Sequence, residues 1–379
     1  MRIAMVAGEA SGDLLAAHLI EALRLRYPDA EFVGIGGPRM VAAGFRSWWP
    51  AERLAVMGYV DVLRRLPELL RIRKDLLRRL KADRPDIFIG VDAPDFNLGV
   101  EFRLRRAGIR TMHYVSPSIW AWRGGRVKGI GRAAGHVMCL FPFEPEIYLR
   151  KNIPATFVGH PLADVFPVED QRQVARDLLG IDATQEVVAV LPGSREGEVG
   201  RLAETYVGAM RQLAFHRPGV LFLVPLITRV TRDRFERALY AAGADTLSVR
   251  LMFGHAHEAM AAADVVLVAS GTATLEAALL KKPMVISYKL GKMTYRLAKW
   301  LSYLPWVGLP NILARQFLVP ELIQDDATPE KLAAALTHWL DDADGRARVV
   351  ERFRAMHLSL RQNNGQKAAE AVASVLAHT

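Results

Sequence analysis

The chain of 379 residues is predicted to be an α/β protein with two doubly wound parallel-sheet domains. Short apolar runs alternate with helical patterns along most of its length, as expected for parallel strands covered by helices. The alternation is interrupted between residues 159 and 182 and then resumes, so a domain boundary is expected there. The expected domains are residues 1–165 and 166–345, and the C-terminal helices of residues 346–379 can return to the first domain. Two such domains imply a ligand cleft between them, at the carboxyl ends of both sheets.

The first strand, loop and helix organise the N-terminal domain. A short apolar run bounded by glycine predicts a buried strand, and apolar residues at helical spacing predict the helix that covers it. Gly8 and Gly12 allow backbone amides to approach a ligand closely, while Ser11 or Asp13 can cap the helix. The spacing differs from a dinucleotide fingerprint, and Glu9 lies inside the loop, where a simple phosphate cradle would gain nothing from a carboxylate.

The remaining elements follow in order. Further strands of the first domain are predicted at residues 32–37, 87–91, 109–115, 136–140 and 156–158. Strands of the second domain are predicted at residues 187–191, 221–226, 247–253, 265–269 and 284–287. Helical patterns lie between the strands, and the chain ends on helical stretches at residues 329–340, 346–357 and 366–377.

Composition restricts the compartment and the partners. The net charge of +10 favours an anionic partner, and no nucleic-acid-binding motif accompanies the charge, so nucleic acid is not expected. The only cysteine, Cys139, lies in an apolar run, which excludes an intrachain disulfide and favours a reducing cytoplasm. No stretch has the pattern of a signal peptide or of a membrane-spanning helix.

Two basic stretches predict contact with an anionic membrane face. Residues 61–84 hold nine bases against four acids, with leucines three or four positions apart, which predicts a basic amphipathic helix. Residues 277–320 hold seven bases and no acid, with tyrosine and tryptophan interleaved. Trp48 and Trp49 are expected to be exposed beside them. The alternative for each stretch is an ordinary surface helix with a solvated basic face.

Loops at the carboxyl ends of predicted strands carry the candidate site residues. Asp92 follows a strand and can act as a general base, or as a turn residue. Two further loops suit a nucleotide sugar, with backbone amides and a guanidinium for a diphosphate and a carboxylate for the ribose hydroxyls. Their residues are Gly193, Ser194, Arg195, Gly271, Thr272 and Glu276. Trp120 and Trp122 can stack on a sugar, meet acyl chains or simply pack. The histidines lack metal-ligand spacing, so no metal is expected.

Several of these motifs together resemble the lipid A disaccharide synthase family, which are glycosyltransferases of the GT-B fold. They comprise residues 8–13, 92–97, 113–123, 158–161, 191–195, 270–276 and 309–311. The similarity covers essentially the whole chain. One local departure is Glu196, an acid directly beside the proposed diphosphate loop.

The resemblance implies an inverting transfer of 2,3-diacylglucosamine from its UDP derivative to the 6-hydroxyl of 2,3-diacylglucosamine 1-phosphate, called lipid X. The products are a β-1,6 disaccharide 1-phosphate and UDP, and no cofactor is needed. Asp92 is assigned the role of base, with Glu9 positioning the acceptor or substituting as base. Asn311 is assigned a polar contact near the phosphates or the acceptor. Acceptor or lipid contacts are assigned to Ser11, Gly12, Trp120 and Trp122.

The resemblance also implies a cytoplasmic protein associated peripherally with the inner membrane, and the family suggests a homodimer. Two other classes stay open on the residues alone. A UDP-sugar epimerase of the GT-B fold would share the nucleotide site but would have no use for lipid-facing basic helices. A non-catalytic protein that binds anionic lipids would explain those helices but would leave both diphosphate loops idle.

Overall fold

The computed structural model describes residues 1–54, 59–121, 124–244, 246–291, 294–296, 299 and 303–377, without the side chains of residues 52 and 59–64. The chain divides into two compact units. The first consists of Met1–Asp164 together with Ser359–Thr379, and the second is Val165–Leu358. Each unit is built on one parallel sheet, so the predicted fold class of two parallel α/β domains is confirmed.

The sheet of the first unit has seven strands in the order β3-β2-β1-β4-β5-β6-β7. Their bounds are β1 Arg2–Ala7, β2 Glu31–Gly36, β3 Arg46–Pro50, β4 Ile87–Val91, β5 Arg110–Tyr114, β6 His136–Cys139 and β7 Ala155–Phe157. The central strand β4 is buried at every position, as a parallel strand covered on both faces must be. Helices follow the strands and cover these faces. They are α1 Ala10–Arg26, α2 Pro38–Ala42, α3 Tyr59–Asp83, α4 Pro94–Arg105, α5 Val127–Ala133, α6 Glu144–Leu149 and α7 Pro161–Val165.

The second unit has a six-stranded sheet in the order β10-β9-β8-β11-β12-β13. Its strands are β8 Val187–Leu191, β9 Leu221–Leu226, β10 Val249–Phe253, β11 Val265–Val268, β12 Met284–Tyr288 and β13 Glu321–Ile323. Its helices are α8 Arg172–Leu179, α9 Glu196–His216, α10 Arg229–Ala241, α11 Ala256–Ala262, α12 Thr272–Leu279, α13 Leu309–Ala314, α14 Pro329–Asp341 and most of α15 Ala343–Leu360. The ends of β8 and β11 lie side by side because these two strands are paired.

The last helix, α16 Asn364–Ala377, belongs to the first unit. It packs on α1, and Ala368 and Val372 are fully buried in the same core as Leu19. Its first residue, Asn364, is held by several polar contacts, and one of them joins its side-chain amide to the Gly159 carbonyl at 2.9 Å. The Tyr114 hydroxyl donates to Asn364 Oδ1 at 2.6 Å, and the Asn364 amide donates to the Asp164 carboxylate at 2.6 Å. The first unit is therefore assembled from both ends of the chain.

Trp48 and Trp49 are half-buried, so the expectation that they are exposed is wrong. They lie on the edge strand β3 and pack against a core that includes Leu76 and Leu80 of α3. The guanidinium of Arg79 lies 4.0 Å from the Trp48 ring centroid and covers it. A polar cover of this kind lets a tryptophan pair occupy a sheet edge without forming an apolar patch.

Three lysines of the second basic stretch, residues 277–320, form hydrogen bonds within the protein. Lys281 donates to the Pro167 carbonyl at 2.6 Å, Lys282 to Asp170 at 3.2 Å and Lys289 to Thr205 at 2.8 Å. Lys281 and Lys282 are buried. The sequence pattern of bases without acids did not indicate this burial. Lys292 and Trp300 lie outside the described residues. No helix within the described part of the chain combines the length and the apolar character needed to cross a bilayer.

Candidate active site

A cavity of about 440 Å³ lies in the second unit, at the carboxyl ends of β8 and β11. It is bordered by the starts of α9 and α12. Six residues predicted for the UDP-sugar site line it, namely Gly193, Ser194, Arg195, Gly271, Thr272 and Glu276. Parallel strands bring the loops that follow them to one edge of the sheet, which is why loops almost eighty positions apart in sequence share this cavity.

The start of α12 presents its amides to the cavity without a side-chain cap. The residue before the helix is Gly271, with φ of 118°, a backbone conformation that side chains disfavour. Among the described residues, no side chain hydrogen-bonds to cap this helix start. Thr272 and Ala273 are the first helical residues and both line the cavity. Uncapped amides and the positive end of the helix dipole together favour an anion.

The start of α9 is capped by its own acid, Glu198. Glu198 Oε2 accepts hydrogen bonds from the Ser194 amide at 3.1 Å and from the Arg195 amide at 3.3 Å. Its other oxygen lies 3.6 Å from the Arg195 guanidinium. Glu196, the acid that the sequence analysis singled out, is paired instead with Arg234, whose Nε donates at 3.0 Å. The carboxylate at the proposed diphosphate loop is therefore Glu198, which the sequence analysis missed.

Glu276 lines the cavity and is oriented by a histidine. His257 Nε2 lies 3.3 Å from Glu276 Oε2. The hydrogen bond to Glu276 raises the pKa of His257, against the opposing effect of partial burial. The rings of His257 and Phe166 also pack in a T-shaped arrangement, with centroids 4.8 Å apart. The carboxylate thus has a fixed orientation while part of it stays open to the cavity.

Asn311 is fully buried in the second unit, and both ends of its carboxamide are committed to hydrogen bonds. It donates to the Val319 carbonyl and to Glu321, each at 2.9 Å, and accepts from the Leu318 amide at 2.8 Å. It lies on α13, whose first amide, that of Leu309, donates to Thr274 of α12 at 3.3 Å. This geometry supports the segment packed behind α12, and a contact of Asn311 with substrate stays a prediction.

In the first unit, Glu9 and Asp92 lie at the same edge of the sheet. Their strands β1 and β4 are neighbours, with Ala7 opposite Val91. Gly12 sits where the two loops meet, since a Cβ on it would lie 3.4 Å from the Val91 carbonyl and 3.8 Å from Asp92 Cβ. Glu9 is exposed and Asp92 is half-buried.

Asp92 has a left-handed backbone, with φ of 52°. Hydrogen bonds from its own amide and from the side chain of Asn97 hold its loop. The Asp92 amide donates to the Tyr114 carbonyl at 2.8 Å, and Asn97 Nδ2 donates to the carbonyls of Asp92 at 2.8 Å and Val6 at 3.2 Å. The sequence predicted no role for Asn97, because an Asn in a turn ordinarily bonds the backbone two residues on, whereas this side chain reaches back five residues. Asn97 is fully buried and positions the backbone of Asp92.

The other predicted residues of the first unit have varied environments. Ser11 is exposed. Asp13 is buried and accepts hydrogen bonds from the amides of Gly37, Arg39 and Met40, so it caps α2 rather than its own helix. Trp122 lies outside the described residues.

Trp120 is half-buried, and its indole Nε1 donates to Glu144 at 3.0 Å. Its ring packs edge-on against Phe141 and Phe143. Burial raises the pKa of Glu144 to about 7, despite hydrogen bonds that favour the charged form. The tryptophan is therefore held by a carboxyl group that titrates near neutrality.

Comparison with known proteins agrees with the motifs. The chain matches the family model for lipid-A-disaccharide synthetase over residues 3–375. It is 63% identical to the lipid-A-disaccharide synthase of Aromatoleum aromaticum, over 98% of this chain and 95% of that protein. It is 56% identical to the synthase of Dechloromonas aromatica, over 99% of each chain.

Solved structures share the fold at low identity. A UDP-GlcNAc 2-epimerase from Neisseria meningitidis bound to UDP-GlcNAc matches with a TM-score of 0.63 at 12% identity, over 100% of each chain. MurG from Acinetobacter baumannii matches with a TM-score of 0.57 at 15% identity, over 98% of this chain and 99% of that one. These neighbours support the GT-B architecture alone. The motifs, the family model and relatives of such high identity agree, so the chain belongs to the lipid-A-disaccharide synthase family of UDP-sugar glycosyltransferases.

Proposed function

We propose that the cavity of the second unit binds the UDP of UDP-2,3-diacylglucosamine, and that Asp92 deprotonates the 6-hydroxyl of lipid X. One observation carries the donor half of this proposal: six residues chosen from the sequence for a nucleotide sugar line a single cavity. A cavity of about 440 Å³ lies within the range of ordinary ligand sites.

The donor diphosphate binds at the start of α12, beside Arg195. Backbone amides at a helix start and a guanidinium fork both complement phosphate oxygens, and they stabilise the charge that builds up on departing UDP. Glu276 accepts hydrogen bonds from the ribose hydroxyls, in an orientation set by His257. Asn311 stabilises the segment around α13, whose first amide, that of Leu309, donates to Thr274 of α12.

The acceptor is activated in the first unit. Inversion at the sugar carbon needs one base to remove the hydroxyl proton as the new bond forms, and no covalent intermediate. Asp92 has the support expected of such a base, because Asn97 and Tyr114 hold its backbone in one conformation. Glu9, on the neighbouring loop, orients the acceptor. Trp120, with Trp122, contacts the sugar or an acyl chain.

Peripheral binding to the anionic inner-membrane face brings the protein to its lipid substrates. The support comes from α3, where Ile72, Leu76 and Leu80 are buried in the core while Leu66 and Leu70 are exposed. The two exposed leucines are one helical turn apart, and Lys74 continues the same stripe. Apolar side chains next to bases suit an anionic bilayer surface. A homodimer is carried over from the family resemblance.

The test is UDP release from UDP-2,3-diacylglucosamine in detergent, with and without lipid X, with the lipid product identified by mass. The proposal expects release that depends on lipid X, together with a disaccharide 1-phosphate. Consumption of the UDP-sugar without lipid X would instead indicate an epimerase. Lipid binding with no UDP release in either condition would indicate a non-catalytic protein.

A further inference from the structure

Helices α9 and α12 both start at the donor cavity, but the backbone amides at their starts have different hydrogen-bond partners. The start of α12 follows a glycine and is not capped by any described side chain, whereas the start of α9 is capped by Glu198. The sequence analysis assigned the donor diphosphate to both loops. One of the two anion positions is already filled by an anion that belongs to the chain.

Glu198 engages the donors that a phosphate oxygen at this loop would need. Its Oε2 accepts from the amides of both Ser194 and Arg195, and its Oε1 lies near the Arg195 guanidinium. These are the donors that the diphosphate was predicted to use. The loop fits closely around the carboxylate, because a Cβ on Gly193 would lie 2.7 Å from Glu198 Oε2.

The carboxylate belongs to the cavity as well as to the helix start. Glu198 itself lines the cavity, and so does Tyr288. Burial is the main cause that raises the pKa of Tyr288, and the charge of Glu198 is the next. The negative charge of Glu198 thus acts on Tyr288 in the same cavity, where a bound diphosphate would add further negative charge.

We propose that Glu198 is a built-in competitor of the donor diphosphate, holding the amides of Ser194 and Arg195 until a phosphate displaces or repels it. This inference rests on the proposed donor site. In the substrate complex, Arg195 exchanges its partner from Glu198 to the diphosphate. After transfer, the return of the carboxylate to the amides favours the release of UDP.

If Glu198 were only a helix cap, its replacement would have a different effect on ligand binding. Replacing a capping acid lowers the stability of a helix start, and it weakens or leaves unchanged the binding of any ligand there. A competing anion has the opposite effect on an anionic ligand, because its removal relieves like-charge repulsion and frees donors. The effect must also depend on phosphate, since uridine has no charge to repel.

The experiment measures binding of UDP and of uridine to the full chain by titration calorimetry. Glu198→Gln keeps a hydrogen-bond acceptor of the same size and removes the charge. Glu196→Gln is the matched control, because Glu196 lies in the same helical turn but is paired with Arg234. We expect Glu198→Gln to bind UDP about tenfold more tightly than wild type, with uridine affinity unchanged and with stronger product inhibition by UDP. Glu196→Gln should behave as wild type towards both ligands.

Equal or weaker UDP binding by Glu198→Gln would overturn the inference, as would an equal gain for uridine. Glu198→Ala offers a second measurement if the first variant is poorly folded, since UDP should then raise its Tm by more than it raises that of wild type. A smaller or equal rise would also count against the inference. Failure of wild type to bind UDP at all is a different result, because it would remove the proposed donor site itself.

Discussion

His257 Nε2 lies 3.3 Å from Glu276 Oε2, so the carboxylate proposed to hold the ribose is paired with a histidine whose charge depends on pH. The pKa of His257 is raised by this hydrogen bond above its usual value near 6.5. The folded protein therefore binds this proton more tightly than the unfolded chain does. The stability gained from the pair is fully present below about pH 6.5 and is lost as the pH rises through the higher folded value.

We therefore expect His257→Gln to lower the Tm at pH 6 and to have little effect at pH 9. Thermal unfolding of both proteins across this range measures the difference. His255→Gln is the control, because His255 lies on the same segment and pairs with Glu258 at 3.4 Å rather than with Glu276. A Tm difference that stays constant from pH 6 to pH 9 would show that the ion pair contributes nothing.

Asp92→Asn should lower kcat by a factor on the order of 10² or more while leaving the affinity for UDP unchanged. The Asn carboxamide cannot take up the proton of the lipid X hydroxyl. Asp95→Asn serves as the control. Asp95 lies three residues further on, in the first turn of α4, but is exposed and paired with Arg126 at 2.7 Å. Near-normal turnover of Asp92→Asn would eliminate it as the base, and the same assay on Glu9→Gln would then decide whether Glu9 has that role.

Glu144→Gln should remove a pH dependence of stability. The pKa of Glu144 is raised from 4.5 to about 7, mainly by burial, so the folded state favours the neutral acid. The corresponding stability is fully present below pH 4.5 and is lost as the pH rises through 7, by about 3 kcal/mol in total. Urea unfolding at pH 5 and pH 8 should show the wild type losing stability relative to Glu144→Gln. Parallel behaviour of the two proteins would contradict the burial of a titrating carboxyl group.

The double variant Leu66→Gln, Leu70→Gln should bind vesicles containing phosphatidylglycerol at least about tenfold more weakly than wild type, because two apolar side chains no longer enter the bilayer surface. Co-sedimentation with vesicles measures the loss. Leu149→Gln removes another exposed leucine of the first unit and should change nothing. Equal losses in both proteins would point to a non-specific effect of apolar surface, and α3 would then not be the membrane contact.

The elements that sequence predicted well are those with local causes. Buried parallel strands are nearly continuous apolar runs, and their ends converge by topology, so Ser194 and Thr272 could be placed near each other without a structure. The role of Glu198 also had a local signal, since an acid three residues after a helix cap is typical of a capping box. Glu196, two residues earlier, pairs with Arg234 instead.

Other features depend on contacts distant in sequence. Asp13 caps a helix that begins at Pro38, and no local pattern indicates which helix start an acid will reach. Lys281 and Lys282 resembled a solvated charge run, yet each extends to an oxygen near residues 167–170. The burial of Trp48 required the edge strand and Arg79 together. These outcomes follow from tertiary packing, which composition and periodicity do not contain.

Because α16 completes the first unit, the two units are completed at different stages of synthesis. The whole of Val165–Leu358 leaves the ribosome before the residues that complete the first unit do. Until then the core around Leu19 lacks Ala368 and Val372, and Tyr114 lacks its partner Asn364. The first unit is therefore the last to be completed, and a chain that ends before Asn364 would contain an intact second unit and an incomplete first unit.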